Sequence, residues 1–370
     1  MRYREFKVLL NSGSATRRDI VRALAGVGIG VATLPLARRA KAAPDIEVFT
    51  WSGYELPEFH QPFIDKHGAS PNVTFFAELE EALNKLMAGY TADVGHPCAS
   101  SADKWVDAGI VKPIDTSRVE QWGNIFPLMR DIPTVRRDDT SAWMMPWDWG
   151  NSSILYRSDL VDIEEESYAL YLDERYKGKM SFYDSADGFV QVTGAIIGAK
   201  DVFAMTDDEF ALATETMKKL QENIRFYWSD PTEIEQALAA GEIVNAYAWN
   251  ASATNLKRQG VPIRFMDPKE GIWTWVCGLC LFNNGAGSED QQYDFLNAFL
   301  DTGSGKNLIE MYGYGHANAE SFKLVAQEKL DELGIGDPIA MMAKARFSRA
   351  MAPEFRQRVI NAFDEIKASM

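Results

Sequence analysis

Strand and helix signals alternate along the chain after residue 45, and that rhythm constrains the fold more than any other feature. Ile46, Val48 and Phe49 make a β-prone run that Ser52-Gly53 breaks, and Pro57 to Lys66 reads as a helix with Phe59 and Phe63 four apart. Asn72 to Phe76 is a second strand, Glu78 to Gly89 a helix with Leu79, Leu83 and Leu86 on one face, Asp93 to Cys98 a short strand and loop, and Ala102 to Ala108 a helix. A βαβα order predicts a parallel sheet with helices on both faces. In such sheets ligands bind outside the carboxyl ends of the strands, where this chain places Trp51, Ser52 and Tyr54.

Trp143 to Gly150 interrupts the rhythm. Pro146 and Gly150 bracket an extended piece, which reads as a crossing into a second lobe. That lobe has strands at Met180–Tyr183 and Glu242–Trp249, the loop Asp184–Asp187, and helices at Gly188–Ile197, Asp207–Asn223 and Pro231–Ala240. Ile263 to Trp275 is the expected return crossing, and helices follow from Glu289, interrupted at Tyr312-Gly313-Tyr314-Gly315. The expected bounds are 43–147 with 275–315 for one lobe and 148–274 with 316–370 for the other.

The first 42 residues read as a leader. Arg17-Arg18 precede an uncharged apolar run from Ala23 to Ala37, and Ala40-Lys41-Ala42 has the small-x-small form of a cleavage site. The run is shorter than the roughly 20 residues that span a bilayer, so export to the periplasm by the twin-arginine route is expected over anchoring. Loss of a leader with nine basic and two acidic residues takes the net charge from −15 to −22. Such an acidic surface argues against nucleic acid and anionic lipid and would steer cations toward the protein. Three cysteines, Cys98, Cys277 and Cys280, make no disulfide framework. Cys277-Gly278-Leu279-Cys280 matches C-x-x-C, but Trp275 to Phe282 looks like one strand, in which residues three apart diverge. No Cys, His and acid cluster has metal-ligand spacing, no cofactor is expected, and His96 and His316 read as ordinary loop residues.

Seven motifs in order carry a family resemblance. Thr50-Trp51-Ser52-Gly53-Tyr54, Gly109 to Asp115, Met145 to Gly150, Tyr176 to Lys179, Ala248 to Ala253, and Pro268 to Trp275, following the leader, resemble the spermidine/putrescine-binding proteins of ABC importers. The resemblance implies the type II periplasmic-binding fold: two α/β lobes joined by two crossings, a monomer that closes on a small ligand and docks on a membrane permease. It also implies a pocket. Trp51, Ser52 and Tyr54 match first-strand contacts, Trp249 and Trp275 match stacking tryptophans, and Asp184 lies where an acid stands in the second lobe. Trp147 and Trp149 fit pocket or core equally, whereas Trp105, Trp122 and Trp143 read as core or surface.

Two departures bear on the ligand. The family's Trp-x-Asp is here Trp275-Val276-Cys277, and its Ser-x-Tyr loop is Cys98-Ala99-Ser100. Loss of a carboxylate removes a charge-assisted bond of about 1.5–3 kcal/mol that a primary ammonium would use, whereas methylated onium groups suit aromatic faces. The expected ligand is therefore a small cationic or zwitterionic amine, betaine or sulfonium compound such as dimethylsulfoniopropionate. Asp148 could restore a carboxylate for a polyamine, and Arg346 or Arg349 could meet an anionic end. Cys277 belongs to the candidate site as the altered position. An enzyme acting through Cys98, Cys277 or His316, or a chemosensory binding protein, stands as the alternative class.

Overall fold

In the computed structural model, residues 44–369 are described, and the expected leader lies outside them. The strands follow one path, in the order Asn72–Phe76, Glu47–Trp51, Val94–Gly95, Trp273–Phe282, Met145–Arg157, Asn245–Trp249, Met180–Tyr183, Ile224–Trp228. The first three run parallel and form the sheet of one lobe, and the last three run parallel and form that of the other. The two long strands between them are antiparallel and pair from Trp273 opposite Ser152 to Leu279 opposite Met145. They are the two crossings.

Local chemistry explains their irregularity. The register shifts between Cys277 and Gly278, where Gly278 faces Pro146. Proline has no N–H to give the ladder, and a Cβ on Gly278 would stand 2.1 Å from the Met145 carbonyl oxygen. The bulge accommodates both. The first crossing lies where expected, but the second begins at Trp273. Ile263–Phe265 instead adds a short antiparallel strand beside Leu155–Arg157 within the second lobe. These β-prone residues satisfy an open strand edge before the turn at Gly271, whose φ of +91° suits glycine, delivers the chain to Trp273.

The helices start and stop on recognisable signals. Asp207–Gln221 begins with a capping box of Thr206 and Glu209. Pro231–Ala240 lies between an Asp230 cap and a left-handed Gly241. The expected helix from Pro57 to Lys66 is broken into a 3₁₀ turn, Pro57–Phe59, and a helix, Gln61–His67. Pro62 causes the break: inside a continuous helix its ring would strike the carbonyl four residues back, so the helix restarts with Pro62 in its first turn.

Hydrophobic clusters cover both faces of each lobe's sheet. Ile46, Val48, Phe59, Val94 and Phe295 belong to one in the first lobe, and Phe49, Phe76, Trp105 and Phe282 to the cluster on the opposite face. The tail divides differently from the expected bounds. Ala317, Phe322, Leu330, Ile335 and Met342 pack in the first lobe, and only from Met351 onward does the tail join the second, through Phe355, Val359 and Phe363.

Candidate functional site

The parallel strands of both lobes end in aromatic residues. In the first lobe Trp51 closes its strand and packs edge-on against Phe76, the last residue of the neighbouring strand, at 4.6 Å. Ser52 is exposed beside it. In the second lobe Tyr183, Trp228 and Trp249 close three strands and touch one another, with ring centres 4.8–5.1 Å apart. Trp249 packs against the clusters of both lobes. Trp275, on the second crossing, has Tyr314 edge-on at 4.9 Å. Its indole lies over Gly150, where a Cβ would come within 2.4 Å of the ring. Its Nε1–H is buried and has no hydrogen-bond partner among the described residues.

Alternation along the crossing strands separates the candidates. Paired residues share a face, so Asp148, Gly150, Trp275 and Cys277 stand on one side and Trp147, Trp149 and Val276 on the other. Trp147 and Trp149 are fully buried in the first lobe's core, and their indole N–H groups donate to the Phe299 and His316 carbonyls at 2.5 and 3.2 Å. They are core, which removes them from the pocket. Truncating a buried tryptophan costs about 3–5 kcal/mol of stability, which is their role here.

Asp148 is buried beneath the floor, not open to a ligand. Its Oδ2 accepts from the Tyr54 hydroxyl at 2.8 Å and its Oδ1 from His96 Nε2 at 3.1 Å, while His96 Nδ1 lies 2.9 Å from Thr50 Oγ1. A carboxylate cannot donate, so the Nε2 proton belongs to His96. Burial, then the Asp148 carboxylate, holds the Tyr54 phenol well above its usual pKa, so Tyr54 remains a donor. The His96 carbonyl accepts the Trp51 indole N–H at 3.1 Å. His96 lies in a loop, as expected, and from there it anchors Trp51, Asp148 and Thr50 at once.

Cys277 is not a free site group, because it forms a disulfide with Cys98. The two departures from the family motifs are therefore one covalent link. Cys280 points to the opposite face, buried beside Phe49 and Trp105, and burial pushes its thiol up. His316 is also buried: Phe299 O takes its Nε2–H, Nδ1 accepts from the Asn318 N–H, and burial lowers its pKa to about 4. Arg346 stacks on Trp273 and donates to the Glu270 carbonyl, and Arg349 lies over Phe203 and pairs with Asp201, so both are already engaged.

The lobes touch at the cleft mouth through charged groups. Within the second lobe, Asp184 is paired with Lys367 at 2.5 Å. The Tyr183 hydroxyl donates to Glu78, and Arg356 bridges Asp187 of its own lobe, at 2.8 Å, to Glu80 of the other, at 3.0 Å. Glu78 keeps solvent contact at this rim, but burial of its carboxyl, with Asp187 and Asp184 nearby, raises its pKa to about 7. A groove of about 580 Å³ opens beside the bridge, lined by Glu80, Asp103, Lys104, Met351 and Arg356 among others. Its walls carry charged tips and no rings, so the chemistry suited to an onium group lies with the tryptophans. Glu78, Tyr183, Trp228, Tyr314 and Arg356 were not among the sequence candidates. Tyr183 and Trp228 could have been found as the last residues of strands, as Trp51 was.

A family model described as bacterial extracellular solute-binding protein matches residues 59–331. The chain belongs to this family. Among curated members, the putrescine-binding periplasmic protein PotF of Escherichia coli K12 is 26% identical over 363 residues, covering 93% of this chain and 96% of the relative. The spermidine/putrescine-binding periplasmic protein of the same strain is 26% identical over 312 residues, covering 81% and 86%. The solved spermidine/putrescine ABC transporter substrate-binding protein PotD of Streptococcus pneumoniae superposes with a TM-score of 0.73 at 18% identity, covering 88% of this chain and 99% of that one. MotA of A. tumefaciens B6, solved with glucopine, gives 0.71 at 15%, covering 87% and 99%. The fold is the type II periplasmic-binding fold of these solute-binding proteins, as the sequence motifs implied.

Proposed function

We propose that this solute-binding protein works in the periplasm, captures a small zwitterionic onium compound of the betaine or sulfonium class, and delivers it to an ABC permease. The relatives' names support the importer role, since the curated ones bind putrescine or spermidine in the periplasm and a solved one belongs to an ABC transporter. The Trp275 N–H carries the ligand class: Trp105 and Trp273 also have unpartnered N–H groups, but they are fully buried, whereas Trp275 is partly exposed. A buried donor left unmet costs about 1–3 kcal/mol, so a fitting ligand brings an acceptor. A polyamine offers only N–H donors, whereas the carboxylate of a betaine is an acceptor and its onium group suits the faces of Trp51, Trp249 and Trp275. The acids agree: Asp148 is buried and already engaged by Tyr54 and His96, Asp184 is paired with Lys367, and position 277 has no carboxylate.

A plain polyamine is the second reading. Glu78, Asp184 and Asp187 stand together at the cleft mouth and could take an ammonium if Lys367 withdrew. A thermal-shift screen of the mature protein against glycine betaine, dimethylsulfoniopropionate, thiamine, putrescine and spermidine separates the two readings. Ligands that bind only the folded state raise its melting temperature, and the zwitterions are expected to raise it most. A shift with the polyamines alone would transfer the assignment to the second reading.

A further inference from the structure

The Cys98–Cys277 disulfide joins residues 179 apart in sequence, and its position matters more than its span. The Ala99 N–H donates to Val276 O at 2.8 Å and the Gly278 N–H to Pro97 O at 3.0 Å, so Pro97–Ala99 lies along the second crossing strand as a short added edge. On one side of the bond, two residues back, His96 holds Trp51 through its carbonyl and Asp148 through its ring, and Asp148 holds Tyr54. On the other side, also two residues back and on the same face of the strand, stands Trp275. One covalent bond therefore ties the aromatic floor of the first lobe to the indole on the crossing. Cys277 is buried, whereas Cys98 is only half-buried, so a reagent approaches the bond from the Cys98 side.

We propose that this disulfide is the positioning element of the ligand cleft, and that its reduction to two thiols loosens the Trp51–Tyr54 floor from Trp275 and weakens ligand capture. The naming of the ligand rests on the proposed function; the coupling between disulfide and tryptophans does not. The chemistry is thiol–disulfide exchange with a dithiol. A reductant thiolate attacks Cys98 Sγ, the protein S–S bond breaks, and Cys277 leaves as a thiolate and takes a proton. The second reductant thiol then displaces Cys98, so two electrons pass to the protein and the reductant departs as a cyclic disulfide. Cys280 cannot take over either partner's place, because it lies buried on the opposite face of the strand.

The test compares the mature protein oxidised, reduced with dithiothreitol, and as the double variant Cys98→Ser/Cys277→Ser. Thiol titration of the denatured chain counts the thiols, and circular dichroism at 25 °C confirms that each form is folded. Calorimetry with glycine betaine, dimethylsulfoniopropionate and putrescine gives affinity, and tryptophan emission without ligand reports the floor. Reduction should lower the affinity for whichever probe binds by about tenfold, shift the emission, and reverse on reoxidation. The double variant should match the reduced form and ignore dithiothreitol. A bond that is merely a structural staple would lower the melting temperature alone; unchanged affinity and emission in a folded, fully reduced chain would overturn the proposal. If no probe binds the oxidised protein, the ligand assignment fails and the emission shift decides the coupling by itself. If the double variant does not fold, the reduced native chain decides.

Discussion

At Trp275 a ring face, an unpaired N–H and a side-chain-free neighbour, Gly150, meet in one place. That Trp51 and Trp249 stand at strand ends and Trp275 on a crossing was legible in the sequence, because β-prone runs lead up to all three. The same patterns did not reveal that Trp147 and Trp149 turn away. That depends on which face of the crossing strand carries Asp148, and a run of Trp-Asp-Trp alternates identically in either phase. Nor could spacing show that Cys98 meets Cys277, since partners 179 residues apart leave no local signal. A carboxylate at 277 consequently requires both cysteines to be replaced, because Cys277→Asp alone strands the Cys98 thiol. For the aromatic faces the expectation is direct. Trp51→Leu and Trp249→Leu keep apolar area but lose the π face, so calorimetry with the best-shifting ligand should show each weakening binding by about 0.5–2 kcal/mol.

The element that organises the molecule is the antiparallel pair Met145–Arg157 and Trp273–Phe282. Pro146 and Gly150 announced the first strand because neither favours a helix. The second was misplaced by ten residues, since Ile263–Phe265 is as β-prone as Trp273–Val276, and only pairing decides which of them crosses. Helices with strong ends were read closely, as at Pro231–Ala240, whereas Pro62 split a helix that periodicity alone made continuous. The carboxyl edges of the two parallel sheets, where Trp51, Tyr183, Trp228 and Trp249 emerge, follow from the βα order that the sequence displays.

At the scale of the whole molecule, Arg356, Glu80, Asp187, Tyr183 and Glu78 hold the two lobes in contact at the cleft rim. Arg356 lies on the tail helix Pro353–Lys367, and the crossing of the tail between lobes was not legible because its helices are amphipathic in both places. Glu78 makes this contact sensitive to pH. Burial raises its pKa from an ordinary 4.5 to about 7, with Asp187 and Asp184 adding to the rise and the Tyr183 bond and Arg356 opposing it. In contact with the second lobe, Glu78 thus holds a proton that a solvated carboxyl would release. Its contribution to the contact between the lobes is complete below about pH 4.5 and is lost as pH rises through about 7. Ligand affinity measured from pH 5 to 8 should therefore fall with rising pH, and Glu78→Gln, which cannot ionise, should flatten the profile. An identical slope in the variant would assign the dependence to another group.

The ligand itself is tested most directly by calorimetry of the mature protein and of Trp275→Phe with glycine betaine, dimethylsulfoniopropionate, putrescine and spermidine. Phenylalanine keeps a ring face and removes the N–H, so any loss of cation–π attraction is shared by all four ligands and their ratio isolates the hydrogen bond. The parent should bind a zwitterion more tightly than either polyamine, and the variant should lose about 1.5–3 kcal/mol toward the zwitterion beyond its loss toward the polyamines. Tight spermidine or putrescine binding by the parent, with the same ratio in Trp275→Phe, would contradict it.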